Sequence, residues 1–190
     1  MNIGIDLDDT ICSTHEKMIE EAILFDKQKV KGQGLKNKDG KTFMDMFYWN
    51  VMDVTNFLDY IKKSNFYAKL EAKPLASEYI NRLYQKGNRI IFITRRTNNL
   101  KNRMITKKWL KKNGFNFDKV ILGSENKADI CLQENIDLFV DNDEKNVKMV
   151  KEIGIKVLLM DSPYTKTVPG IRKVKNFRQV YNCANKMVIK

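Results

Sequence analysis

From residue 74 onward the chain alternates short apolar runs with amphipathic stretches, and that alternation leaves few folds open to it. Residues 89–94 (RIIFIT), 119–122 (KVIL), 137–141 (DLFVD) and 156–160 (KVLLM) read as buried strands. Between them, residues 75–86, 98–113 and 144–153 read as helices, and 177–188 as a last one. Pro74 suits a helix start, and Gly87, Gly114 and Gly154 suit helix ends. In the second of these helices Leu100, Met104, Ile105 and Trp109 are expected to face inward. Residues 2–7 supply a first strand, with Ile3, Ile5 and Leu7 alternating against Asn2, Gly4 and Asp6. Strands that alternate with helices imply a parallel sheet covered on both faces. Such sheets bind ligands at the carboxyl ends of their strands. Asp6, Thr94 and Asp141 each close an apolar strand, so the three are expected to share one site.

The stretch between the first strand and Pro74 is too irregular for a single crossover. Residues 14–30 read as a helix, 31–41 as a polar loop containing Gly32, Gly34 and Gly40, and 43–66 as an aromatic-rich, partly helical segment. The expected organisation is an α/β core from residues 1–13 and 73–190, and a small, mostly helical cap from residues 14–72. Phe43, Phe47, Tyr48 and Trp49 offer either a ring to stack on a base or a core for the cap itself.

Hydrophobic residues make up 43% of the 190, enough for a core without staples. The cysteines, Cys12, Cys131 and Cys183, are odd in number and widely spaced, which suggests neither a zinc site nor a disulfide framework. No basic leader precedes Asp6, and the apolar runs are too short to span a bilayer. A cytoplasmic protein with no membrane partner is the expectation. The net charge is +12, and residues 95–117 and 162–190 hold basic residues and no acid. Those stretches are either solvated helix faces or a surface that attracts anions.

The chemistry is concentrated in Asp6-Leu7-Asp8-Asp9-Thr10. Carboxylates crowded at a strand end raise one another's pKa unless a cation neutralises them. Mg²⁺, a hard cation that prefers oxygen ligands, is the natural remedy. An isolated cluster of this kind can also serve as a helix cap.

Here the cluster is not isolated. DLDDT at a first strand end resembles the opening motif of the haloacid dehalogenase-like superfamily. Thr94 resembles its second motif, Lys127 its motif lysine, and 137–146 (DLFVDNDEKN) its acidic fourth motif. The resemblance covers residues 1–160 and implies a Rossmann-like three-layer core. It implies an aspartyl-phosphate formed on Asp6, with Asp8 as acid and then base. Thr94 and Lys127 would hold the phosphoryl group, and Mg²⁺ would be held by Asp6, Asp8 and the fourth motif. The size, the cap position and the tail beginning DSPY are similar to the 5′(3′)-deoxyribonucleotidase-like branch. That branch implies a small phosphorylated substrate, a (deoxy)nucleoside monophosphate. Arg95 and Arg96 follow Thr94; Arg95 is taken as the one that reaches the substrate phosphate, the alternative being a solvated arginine.

The fourth motif departs from the family's usual pair of adjacent acids. Here Asp141 is followed by Asn142, so either residue is a candidate for the third metal ligand. Two other functions remain open at this level. One is a phosphatase of polynucleotide ends or of another phosphorylated metabolite. The other is a non-catalytic, basic nucleic-acid-binding relative.

Overall fold

In the computed structural model, which describes residues 1–188, the chain forms two compact units. One comprises Met1–Ser13 and Glu71–Lys190, the other Thr14–Leu70. The first is built on a six-stranded sheet in the order β3-β2-β1-β4-β5-β6. Its strands are β1 (Asn2–Ile5), β2 (Arg89–Thr94), β3 (Lys119–Leu122), β4 (Leu138–Asp141), β5 (Lys156–Met160) and β6 (Arg172–Val174). Every pairing is parallel. The sheet expected from the strand–helix alternation is therefore the one that forms, and β1 stands at its centre between β2 and β4.

Helices cover both faces. On one, α4 (Ala76–Gln85) packs against α8 (Phe177–Val188); on the other, α6 (Lys127–Gln133) packs against α7 (Glu144–Glu152). The α6–α7 face holds a cluster of Ile91, Ile93, Ala128, Cys131, Ile136, Phe139 and Val150. Gly4 pairs with Ile91 and turns toward this face, since side chains alternate along a strand. A Cβ on Gly4 would lie 3.0 Å from Phe139 and 3.2 Å from Ile93, so a side chain there would press on this layer.

In α5 (Leu100–Lys112) the inward face differs from expectation. Thr106, Trp109 and Leu110 are buried, whereas Leu100 and Met104 are exposed. Trp109 is fixed by Phe115, which stacks on it and meets Phe92 edge-on, and the Phe115 N–H donates to the Leu110 carbonyl (3.0 Å). A face at spacing i, i+3, i+4 through Thr106 leaves the first turn of the helix in solvent. Two elements lay outside the sequence reading: the seven-residue α6, and β6 at the sheet edge.

The turn after β1 is held from several sides. The Asp6 N–H donates to the Val140 carbonyl (2.9 Å), and the Ile11 N–H donates back to Leu7 (2.9 Å). Asp9 adopts φ 59°, and Lys73 Nζ donates to its carbonyl oxygen. Where the chain leaves and rejoins this unit, Cys12 bridges Ala72 in antiparallel fashion. The Ser13 N–H donates to the Glu71 carbonyl (3.1 Å), and the Lys73 N–H donates to that of Ile11 (2.8 Å).

The Thr14–Leu70 unit contains α1 (Thr14–Phe25), which continues into a π-helical turn (Asp26–Val30). These are followed by α2 (Phe43–Met46), α3 (Val51–Lys63) and a 3₁₀ turn (Phe66–Ala68). Asn50 and Asp53 form a capping box that starts α3. Ala22, Phe25, Met46, Phe47, Trp49 and Phe57 make its core. Most of the aromatic segment is therefore structural: Phe47 and Trp49 are buried and stacked with ring centroids 4.5 Å apart, while Tyr48 is exposed.

Asp26 is buried in this core. It accepts from Trp49 Nε1 (2.6 Å) and from the Gly34 N–H (2.9 Å), joining the π-turn, the loop and α3's approach. A buried donor left without a partner costs roughly 1–3 kcal/mol. Asp26→Ala is therefore expected to lower the urea midpoint followed by tryptophan emission, and an unchanged midpoint would show that these bonds contribute nothing.

Candidate active site

Three strand ends and the start of α6 converge at the carboxyl edge of the sheet. Asp6 follows β1, Thr94 ends β2, Asp141 ends β4, and Lys127 is the first residue of α6. Asn126 caps that helix by accepting from the Ala128 N–H (3.1 Å), and this fixes where Lys127 leaves the backbone. Lys127 Nζ lies 2.5 Å from Asp6 Oδ1 and 2.8 Å from Asp141 Oδ2, and all three side chains are buried.

Asp141 is held by further donors. The Asp143 N–H donates to its Oδ1 (2.8 Å), and Asn146 Nδ2 donates to its Oδ2 (2.8 Å). Asp143 in turn caps α7. Arg95, half exposed, donates from Nη2 to Asn146 Oδ1 (3.0 Å). Asn142 points elsewhere: its Oδ1 is 3.0 Å from Thr10 Oγ1, which is also 2.9 Å from Asp6 Oδ2. The Thr10 hydroxyl has one proton for these two acceptors. Its lone pair takes the Asn142 N–H (3.2 Å), and Thr165 Oγ1 donates to the Asn142 carbonyl (3.0 Å).

Asp8 stands apart from this cluster. Arg96 grips it with Nη2 on Oδ1 (2.7 Å) and Nε on Oδ2 (2.9 Å), and Thr94 Oγ1 lies 3.3 Å from Oδ2. A metal role for Asp8 thus falls to its backbone carbonyl, because its carboxylate is engaged by Arg96 and Thr94. Of the two arginines after Thr94, Arg96 is buried on Asp8 and Arg95 is the accessible one. Thr10, Arg96 and Asn146 were not among the residues assigned to the site from the sequence. The signal for Thr10 was its place in DLDDT; nothing in the sequence distinguished Arg96 from Arg95.

The electrostatics follow from burial. Burial pushes the Asp6 carboxyl up to about 7, opposed by Lys127 and reinforced by Asp141 and Asp8. Burial also weakens the charge on Lys127, but Asp6 and Asp141 more than offset this, so the ammonium is held above the ordinary lysine range. The Cys131 thiol is pushed up to about 12 by burial and is inert at neutral pH.

Among the described residues, no group of three or more His, Cys, Asp or Glu side chains is arranged to hold a metal ion. The donor set nevertheless suits a hard cation. Asp6 and Asp141 share the single ammonium of Lys127, while Asp8 is met by Arg96. Asp6 Oδ2 and Asn142 Oδ1, one charged and one neutral oxygen, converge on a single hydroxyl. Both features fit Mg²⁺. Beside Asn142 a cleft of about 390 Å³ opens, lined by Asp9, Arg95, Lys145, Tyr164 and Thr165. A larger cleft of about 610 Å³ lies by the first residues of β5 and β6, away from the carboxylates, and takes no part in this chemistry.

Residues 1–189 match the profile of the family described as 5′ nucleotidase, deoxy (Pyrimidine), cytosolic type C protein. A nucleotidase of Clostridium acetobutylicum is 31% identical over 111 residues, 57% of this chain and 56% of that one. YqfW of Bacillus subtilis is 33% identical over 84 residues, 43% of this chain and 42% of that one. The chain therefore matches about half the length of these curated relatives. Among solved structures, a haloacid dehalogenase-like hydrolase from Streptococcus pneumoniae superposes with a TM-score of 0.67 at 14% identity, covering 96% of this chain and 97% of that one. A hydrolase of the same superfamily from Geobacter sulfurreducens gives 0.64 at 12% identity, covering 96% and 98%. At such identities the likeness is one of fold. With the profile spanning nearly the whole chain, the protein belongs to the cytosolic type C 5′-nucleotidase family of the haloacid dehalogenase-like superfamily.

Proposed function

We propose that the protein is a Mg²⁺-dependent phosphomonoesterase that hydrolyses (deoxy)nucleoside monophosphates through an aspartyl-phosphate on Asp6. The observation that carries this reading is Asp6 itself: a buried carboxylate at the end of the central strand, bracketed by Lys127 and Thr10, with Asp8 two residues on.

A carboxylate oxygen of Asp6 bonds to phosphorus as the bond from phosphorus to the ester oxygen breaks. Asp8 gives its proton to that oxygen, and the nucleoside leaves as a neutral alcohol. In the second half, Asp8 takes a proton from water while the water oxygen bonds to phosphorus and Asp6 is released. Lys127 offsets charge on the transferring group, and Thr94 donates to one of its oxygens. Arg95, at the accessible edge, is a binding residue for the phosphate. The Asp6 carboxylate, the Asp8 carbonyl and Asn142 would hold Mg²⁺, leaving Asp141 to position Lys127. The cation supplies charge neutralisation between an anionic nucleophile and an anionic substrate. Asn142 brings no charge to the metal, so weaker Mg²⁺ affinity than with a second carboxylate is expected.

Two further assignments belong to this reading. We assign substrate selection to the Thr14–Leu70 unit, where Tyr48 is the exposed ring. The three buried cysteines, none of them in a disulfide, suit a reducing cytoplasm, and no helix among the described residues is long and apolar enough to cross a membrane.

Phosphate release from a panel of nucleoside and deoxynucleoside monophosphates, with Mg²⁺ and with chelator, tests the proposal. Turnover should need both Mg²⁺ and Asp6, with Asp6→Asn inactive. Release confined to phosphorylated oligonucleotides, steeply salt-dependent, would move the substrate to polynucleotide ends. Silence across both sets from folded protein would defeat the proposal.

A further inference from the structure

We infer that Arg96 is a positioning residue for the reaction: it fixes the Asp8 carboxyl through Oδ1 and leaves Oδ2, beside Thr94, as the oxygen that carries the transferable proton. The inference rests on Asp8 acting as acid and base, as proposed above.

Arg96 is no solvated arm. Only 3% of it is exposed, and it is anchored along its length. Its N–H donates to Thr94 Oγ1 (3.2 Å) and its carbonyl accepts from the Gly123 N–H (2.9 Å). Its Nη1 donates to Thr106 Oγ1 on α5 (3.2 Å), and Nη2 is also 3.7 Å from Cys12 Sγ. The backbone of Arg96 is thus fixed at Thr94 and Gly123, and besides Asp8 its guanidinium meets Thr106 and Cys12. Nη2 makes the shortest contact, 2.7 Å to Oδ1, while Nε divides between Oδ2 (2.9 Å) and Oδ1 (3.2 Å). A planar fork dictates the orientation of a carboxyl group, which an ammonium does not.

The two oxygens of Asp8 are therefore unequal. Oδ1 takes the shortest Arg96 contact, from Nη2, and the longer branch of Nε. Oδ2 is reached by Nε and the Thr94 hydroxyl (3.3 Å), the group assigned to a phosphoryl oxygen. A protonated carboxyl keeps one oxygen that only accepts, and the geometry makes Oδ1 that oxygen. In the first half-reaction Oδ2–H passes its proton to the ester oxygen as the phosphorus–oxygen bond breaks. In the second, Oδ2 regains a proton from the attacking water as Asp6 departs. Arg96 keeps its own protons throughout.

The test compares the first turnover of a deoxynucleoside monophosphate with that of p-nitrophenyl phosphate, whose phenolate leaves without a proton. For Arg96→Gln, nucleoside release in the first turnover should slow by about 10²-fold or more, while the nitrophenol burst stays within about tenfold of wild type. The burst should be stoichiometric with enzyme and followed by slow turnover, because water attack also needs Asp8. Asp8→Asn should show the same split. Arg96→Lys, which keeps the buried charge, should show it too, and it carries the comparison if the glutamine variant does not fold. Equal loss on both substrates in the Arg96 variants, with the split retained in Asp8→Asn, would reduce Arg96 to a structural part. Wild-type nucleoside release by Arg96→Lys would show that charge alone suffices and overturn the positioning role. Equal loss on both substrates in Asp8→Asn would remove the acid–base assignment itself, and this inference with it.

Discussion

Replacing Lys127 with methionine is expected to cost the fold about 3–5 kcal/mol and to slow phosphate release by about 10²–10³-fold. The ammonium lies between Asp6 and Asp141, at 2.5 and 2.8 Å, in a pocket where all three side chains are buried. Taking one partner from a buried ion pair leaves uncompensated charge, and that explains a loss of roughly 3–5 kcal/mol. The kinetic effect has a separate origin: removing one donor preorganised toward developing charge lowers kcat by about 10²–10³-fold. Urea denaturation and phosphate release read the two effects independently. The paired variant Lys127→Met with Asp6→Asn should be more stable than Lys127→Met alone, because the second change removes one orphaned charge. A midpoint at the wild-type value for Lys127→Met would mean the ion pair contributes nothing, and turnover at the wild-type rate would take Lys127 out of the reaction.

The second large effect runs against intuition, because disabling the nucleophile should strengthen the fold. Burial raises the Asp6 carboxyl from 3.8 to about 7. A carboxyl whose folded pKa lies above its unfolded one contributes stability that is complete below pH 3.8 and is lost as pH rises through about 7. Asp6→Asn never ionises and escapes this loss. In chelator, its melting temperature should exceed that of wild type by an amount that grows between pH 4 and 7 and is level above. Since a tenfold change in proton affinity corresponds to about 1.4 kcal/mol, the gain is on the order of a few kcal/mol. Mg²⁺ should raise wild type and close the gap, because the metal compensates the same charge. An Asp6→Asn protein that melts below wild type at pH 8 in chelator would contradict this account of the site.

The sheet was legible because each long element carried its own pattern. RIIFIT can be little other than a buried strand, and Glu144–Glu152 has a capping Asp143 and a terminal glycine that mark its limits. The elements that escaped are those too short for a pattern. KADICLQ makes barely two turns, and RKV places one apolar residue on an edge strand. On α5 the lysines gave no direction, and Leu100 and Met104 were read inward although the helix packs through Trp109 and Leu110. At the site, strand-end placement brought Asp6, Thr94 and Asp141 together in advance, and motif order added Lys127. What sequence could not supply was which neighbour each side chain meets. Arg95 and Arg96 are adjacent and chemically identical, yet one is accessible and the other grips Asp8 across 88 positions. Asn142 and Asp141 are likewise neighbours with divergent contacts: Asn142 meets Thr10, while Asp141 is saturated by Lys127, Asn146 and a backbone N–H.

The pinned neck at Cys12–Ala72 and Ser13–Glu71 has a consequence for how such a protein can diversify. To the sheet, everything between those residues is a loop whose ends are already tied together. The entropy of closing a loop grows only with the logarithm of its length, about 0.6 kcal/mol for each doubling. Insertions, deletions or wholesale exchange of residues 14–70 therefore place little demand on the strands that carry Asp6 and Asp141. Selection can rework what the insertion recognises at its own pace, while the reacting groups stay in a scaffold that scarcely registers the change.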